Sequence, residues 1–324
     1  MRSFRFVPFP VLTLVLLAAC ESSVTDPGPV APSPVEPVSE SWVVSSGTAS
    51  LNMQSAWSRG TVTYVGGATG VYRSNDAGAT FLLSNAGNDA VGPTRGFADD
   101  ATYLYSSTSQ GVFRSSDLGA TWTVRSTGMT ELRTSGIVAA GTRLYVAGPS
   151  GVFRSDNQGD TWAAAGLAGV DVRSITALGD VIFVGTNGSG LMKSVDGGAT
   201  WVPVNTGLSA TTFRAIEAKG TALFVGGEIG TGVFRSTDGG TSWTQLAGGL
   251  PSSSYRGFAS NDQFIVAGSF GGGVFYSKNN GDTWSELNTG LTDKTIFDLV
   301  ISNGFLVAAT NTGGAFRIAL SALK

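Results

Sequence analysis

One segment of this 324-residue chain recurs at a nearly constant interval. It is spelled GVYRSNDAGATF from Gly70, GVFRSSDLGATW from Gly111, GVFRSDNQGDTW from Gly151, GLMKSVDGGATW from Gly190, GVFRSTDGGTSW from Gly232 and GVFYSKNNGDTW from Gly273. A shortened seventh copy, GGAFRIAL, places its equivalent glycine at Gly314, so the steps are 41, 40, 39, 42, 41 and 41 residues. A unit of about forty residues is the length of one four-stranded blade, and such a unit buries its apolar faces only by stacking on neighbours.

Within a period the pattern is strand-like throughout. Arg133 to Ala140, Arg143 to Ala147, Gly151 to Ser155 and Thr161 to Ala164 read as four short strands with Gly-, Asn- and Asp-rich turns between them. Glycine accounts for 46 residues, twice the usual share, while charged residues reach only 13%. Turns are therefore many and charges few. The predicted fold is all-β, a seven-bladed β-propeller over residues 41–324. The last copy has strands near Ile296 to Ile301, Phe305 to Ala309 and Ala315 to Ile318 but no fourth. The segment Ser41-Trp42-Val43-Val44 matches fourth strands such as Ser242-Trp243-Thr244-Gln245. The N-terminal strand is thus expected to close the last blade. The aromatic series Trp42, Phe81, Trp122, Trp162, Trp201, Trp243 and Trp284 then supplies one residue per blade, read as packing between blades.

The turn after each third strand repeats Ser115, Asp117, Gly119, Thr121 and Trp122, or Ser194, Asp196, Gly198, Thr200 and Trp201. Short oxygen-bearing side chains satisfy turn amides, and glycine accepts positive φ. This pattern resembles the Asp-box, or BNR, repeat of sialidases. Asn157 and Asn279 replace the aspartate in copies three and six, as expected of a side chain that serves the turn rather than chemistry. Each turn offers too few carboxylates for the six to eight oxygen ligands that calcium takes. No metal or cofactor is expected.

Residues 1–19 carry Arg2 and Arg5, then a mostly apolar stretch from Val7 to Ala19, the pattern of an export signal. Leu17-Ala18-Ala19-Cys20 resembles the lipobox of bacterial lipoproteins, which implies cleavage before Cys20 and lipidation of that residue. By resemblance to lipoprotein sorting, Glu21 in place of Asp implies the outer membrane of the cell envelope. Residues 20–40 contain Pro27, Pro29, Pro32, Pro34 and Pro37, which block helix and sheet ladders and read as a tether. Removing Arg2 and Arg5 from the 20 basic residues leaves 18 against 23 acidic ones, a net of minus five. With no basic surplus to displace counterions from phosphates, nucleic acid is not an expected partner.

Histidine is absent and Cys20 is the only cysteine, which excludes Ser-His-Asp and Cys-His catalysis, zinc clusters and intramolecular disulfides. The candidate ligand-binding residues are Arg95, Arg133, Arg173, Arg214 and Arg256, each at the start of a first strand, with Gln54 and Asp298 at the remaining two repeats. First strands are innermost, so these guanidiniums are expected around the upper channel as planar bidentate donors for an anion. The alternative is a hydrogen bond between blades, repeated with the unit. A second series, Arg73, Arg114, Arg154, Arg235 and Arg317, lies further out and reads as structural.

Three functions remain open, one of them a purely structural envelope component with the arginines satisfied internally. The expected one is a non-catalytic, monomeric binding or assembly scaffold for a protein, peptide or anionic glycan on the top face. The repeats also resemble propellers of the photosystem II assembly and stability factor family, which implies an arginine-rich surface handling a membrane-protein partner. The alternative is a sialidase-like or other glycoside hydrolase. That resemblance implies an arginine triad, a Tyr-Glu pair and an acid. Arginines and Tyr255 are available, but the Arg-Ile-Pro element is missing, and Glu131, Asp171, Glu228 and Asp298 form no evident pair.

Overall fold

The computed structural model describes residues 40–87 and 92–323. The expected signal segment, Cys20 and the proline-rich stretch as far as residue 39 lie outside the described residues. The described chain forms seven four-stranded antiparallel sheets arranged as a β-propeller. The innermost strands are Met53–Arg59, Thr94–Asp99, Gly136–Ala140, Val172–Leu178, Phe213–Lys219, Tyr255–Ser260 and Ile296–Ser302, numbered here as blades 1 to 7. Each second strand lies between two neighbours and is largely buried on both faces, as in Val62–Gly67, where every residue is buried. Each outermost strand is only two or three residues long, and short edges recruit few stray strands.

Blade 7 takes its outer strand from the N-terminus: Val43 pairs with Arg317 and Val44 with Phe316. The seam to blade 1 carries further bonds. Thr63 Oγ1 donates to Ser302 Oγ at 2.8 Å, and Asn52 Nδ2 donates to the Asn311 carbonyl at 2.8 Å. Strand existence follows the repeat, while some ends differ: the expected strand from Arg133 begins at Gly136, and the one from Thr161 begins at Ala163.

The aromatic series lies where one blade hands the chain to the next. The indole N–H groups of Trp122, Trp162, Trp201 and Trp243 each donate to a carbonyl of the preceding blade's outgoing segment, at Ser84, Arg125, Ala165 and Val204, over 2.8 to 2.9 Å. Trp42 does the same to Leu287, whereas Trp284 turns to Gly281 of its own turn. A buried tryptophan with its one donor satisfied is a large packing contribution; truncation to alanine at such positions costs about 3–5 kcal/mol.

The recurrent turn holds itself together. Ser194 Oγ donates to Asp196 Oδ1 and accepts from the Gly198 amide, while Asp196 accepts from the amide and hydroxyl of Thr200. Two consecutive residues adopt positive φ, here Gly197 at 73° and Gly198 at 87°, which favours glycine at both places. In copy three, Asn157 Oδ1 accepts from the Thr161 amide and its Nδ2 donates to Thr161 Oγ1, so the hydroxyl merely reverses its role. The outer cations serve the same turns. Arg114, Arg154 and Arg235 donate to carbonyls of the next blade's turn at Gln158, Gly197 and Asn280, and Lys193 takes the position in blade 4 by donating to Gly239.

The Thr200 hydroxyl and amide, with Ser194, hold the Asp196 carboxyl down at about 2. A depressed folded value contributes stability that is present above the ordinary Asp range near 3.8 and is lost as pH falls toward 2. Asp196→Asn together with Asp238→Asn should therefore keep the fold, as Asn157 and Asn279 do naturally, and flatten the acid limb of stability. Urea midpoints between about pH 5 and pH 2 measure this. An unchanged acid slope would contradict the account.

Candidate functional site

The innermost strands surround a central cavity of about 910 Å³, lined by all five candidate arginines. Its mouth is shaped by a backbone irregularity. In six of the seven blades the first strand slips register by one residue near its start, between Met53 and Ser55, Thr94 and Gly96, Val172 and Ser174, Phe213 and Ala215, Tyr255 and Gly257, and Ile296 and Asp298. A bulged residue is released from the ladder and its side chain is re-aimed. The bulged residues are Gln54, Arg95, Arg173, Arg214, Arg256 and Phe297.

Two members of the expected column are thereby corrected. Phe297, not Asp298, holds the column position in blade 7. In blade 3, Gly136 pairs with Ala147 as Ser174 pairs with Gly185, so Ser135 stands in register and Arg133 lies two residues upstream. Arg133 still lines the cavity, but from the loop before the strand.

The five guanidiniums differ in their partners. Arg133 is exposed and grips Glu131, Nη2 to Oε2 at 2.9 Å. Arg173 pairs with Asp171, which also accepts from Asn187, and Arg214 pairs with Glu228. Glu131, Asp171 and Glu228 are therefore each paired with an arginine. Arg256 stacks over Phe270 at 3.9 Å and lies 5.5 Å from Phe297, with the two rings edge to face. Its Nε is buried and unbonded, as is that of Arg173. Arg95 has no ion pair or hydrogen bond among the described residues. Burial, then repulsion from Arg173, lowers the Arg95 pKa. Burial and then Arg214 do the same at Arg256, partly offset by Glu228. At the mouth the five guanidiniums outnumber the three carboxylates paired with them, while Asp99, Glu217 and Asp298 also line the cavity.

Deeper in the cavity lie two carboxyls that the repeat does not announce. Glu217, in the middle of blade 5's first strand, is enclosed and has one partner, the Ser260 hydroxyl at 2.7 Å; desolvation pushes it up to about 7. Asp298 accepts from the Ala56 and Leu299 amides, each at 2.9 Å, and so ties blade 7 to blade 1. Burial raises it to about 7 as well, with those amides opposing and the Glu217 charge adding. Near the opposite end, Trp57 donates to Asp99 at 3.0 Å. Glu217 was detectable in sequence as the one acid inside the Phe213–Lys219 strand, where the other repeats carry Ala, Thr, Val or Trp. Tyr255 is fully buried, its hydroxyl donating to the Pro251 carbonyl, and so is not presented to the cavity. Among the described residues no group of three or more His, Cys, Asp or Glu side chains is placed to hold a metal ion.

These features define a seven-bladed propeller with a cationic channel mouth. The chain belongs to the DUF6242 β-propeller domain family, whose model matches residues 137–316. No curated protein matches it. Among solved structures it is similar to the extracellular domain of BT4673 from B. thetaiotaomicron, at 13% identity and TM-score 0.70, with 85% of this chain and 39% of that one covered. It is also similar to YCF48 bound to D1 peptide, at 15% identity and TM-score 0.70, with 86% and 96% covered. A third is the GH74 xyloglucanase from Xanthomonas campestris, at 16% identity and TM-score 0.68, with 86% and 53% covered. This chain thus spans less than two thirds of the first and third. At these identities the likeness is one of fold.

Because folding raises the Glu217 pKa, the folded state holds that proton more tightly than the unfolded chain. Its contribution to stability falls as pH rises from the ordinary value of 4.5 to about 7. Glu217→Gln should reduce the loss of melting temperature between about pH 5 and pH 8, with Asp298 responsible for the remainder. Equal losses in variant and wild type would show that this carboxyl is not held protonated.

Proposed function

We propose that the protein is a non-catalytic binding scaffold of the bacterial envelope, anchored through a lipid on Cys20, whose channel mouth receives an anionic segment of a partner. The observation that carries this reading is the set of bulge-aimed arginines with unsatisfied N–H groups, at a mouth where guanidiniums outnumber the carboxylates paired with them. An arginine kept only for packing has its donors satisfied within the protein, because a buried donor without a partner costs about 1–3 kcal/mol. The buried Nε atoms of Arg173 and Arg256 lack such partners among the described residues, while Arg95 is exposed and makes no ion pair or hydrogen bond there. A carboxylate or sulfate would satisfy them bidentately.

A peptide segment fits this mouth better than a free ion. Phe270, Phe297 and the exposed Ile229 flank Arg256 and the Arg214–Glu228 pair, and arginine beside aromatic surface is the composition of interface centres. The similar fold of YCF48 bound to D1 peptide supports a peptide ligand, and the extracellular domain of BT4673 supports an extracytoplasmic site. The recurrent turns, read as Asp-boxes, serve the frame in this scheme. Glycoside hydrolysis is the second reading, favoured by the two carboxyls held near neutrality in one cavity and by the likeness to the xyloglucanase fold.

Arg95→Gln with Arg256→Gln should weaken binding of a fluorescent peptide rich in Asp, Glu and Phe by at least about tenfold and lessen its salt dependence. Melting temperature should fall by only a few degrees, since neither side chain has an ion-pair partner and Arg256 alone loses its stacking on Phe270 and Phe297. Unchanged affinity would overturn the assignment, and turnover of a glycan by wild type, lost in Glu217→Gln, would establish the second reading instead.

A further inference from the structure

The outer edge of the disc is chemically uneven. On blades 7, 1 and 2 the outermost strands are Val43–Val44, Leu82–Leu83 and Thr123–Val124. Their aliphatic side chains are open to solvent: Leu82 is 75% exposed, Leu83 and Val124 56%, Val44 50% and Val43 40%. The same positions are Thr244 and Gln245 in blade 5, and Ser285 and Glu286 in blade 6. Blade 3 carries the small Ala163 and Ala164 and blade 4 Val202 and Pro203 at these positions, so the larger aliphatic side chains are densest on blades 7 and 1. The first three blades are consecutive around the ring. Ser46, just beyond the outer strand of blade 7, bridges to Thr80 of blade 1, so the first two strands form one continuous border.

Chain position gives this arc its occupant. The described chain begins at Glu40, three residues before Val43, so the N-terminal 39 residues join the disc on this same border. We infer that the outer edge of blades 7, 1 and 2 is a lipid-facing surface on which the disc rests edge-on, beside the point where its N-terminal segment leaves. The inference draws on the anchored reading above. It adds a second contact, and reversible attachment becomes stable when two weak signals act together. Outer strands of two residues leave too little free backbone for a partner strand to pair with, so the contact depends on side chains. An edge-on disc also leaves the arginine mouth facing sideways, clear of the bilayer and accessible to a partner.

The test uses the chain from residue 20 with Cys20→Ser, which keeps every strand of the ring and removes the lipid, so that failure of the anchor and failure of the edge are distinguished. Leu83→Cys and, separately, Thr244→Cys carry an environment-sensitive thiol fluorophore. Vesicles of phosphatidylethanolamine with a minority of phosphatidylglycerol should shift the emission of the label at position 83 to the blue and leave the label at 244 unchanged. In flotation, Leu82→Ser with Leu83→Ser should reduce vesicle association by about tenfold while the unlabelled protein melts at the same temperature. Silence at position 83, or equal shifts at both positions, overturns the inference. A blue shift that grows with protein concentration in the absence of vesicles assigns the edge to a second copy of the chain, and overturns it equally.

Discussion

Everything in this molecule depends on closing the ring. A four-stranded sheet with apolar faces is unstable alone, and a row of such sheets still ends in two uncovered faces unless the last meets the first. The chain solves this by splitting blade 7 between its ends. Val43 and Val44 pair with Phe316 and Arg317, and Trp42 clamps the segment leaving blade 6 with its backbone and indole N–H groups. The seam is then crossed by polar bonds, among them the Asp298 carboxylate on the Ala56 amide. A fixed ring in turn fixes the distances among side chains that project inward from seven separate strands.

The bulge converts that symmetry into a site. In a regular strand, position alternates between the faces of a blade, and an arginine there would be directed into packing against the next blade. Releasing one residue from the ladder turns its side chain toward the mouth, and the repeat copies the device around the ring. The differences between copies then supply chemistry. Arg173 and Arg214 are held by acids of neighbouring loops, Arg256 by two aromatic rings, and Arg95 by nothing described. Symmetry makes the mouth cationic, and departures from it determine which cations are available.

The sequence made blade number, closure and the role of the tryptophans legible, because each rests on spacing that survives any small shift of register. The mouth was harder. Alignment by residue type put Arg133 and Asp298 in the column, but a bulge depends on which carbonyl each amide meets across the ladder. Ser135 and Phe297, which share no chemistry with arginine, occupy those two registers. Glu217 lay in plain view as an acid among inward-facing apolar residues, yet its enclosure depends on the blades on either side. The equivalence of Lys193 to the outer arginines was hidden for the same reason, since only the turn carbonyl of Gly239 reveals what that position does.

The split blade also orders events in time. Val43 is made before the other strands of the ring, but the strand it completes, Ala315–Ala319, follows all of them. Until then the earlier blades can stack progressively, while both ends of the row keep an apolar face open to aggregation or to a chaperone. The row is covered at both ends only when Ala315–Ala319 meets Val43 and Val44, so loss of that strand would bare blade 1, which packs on Ala315, as well as blade 7.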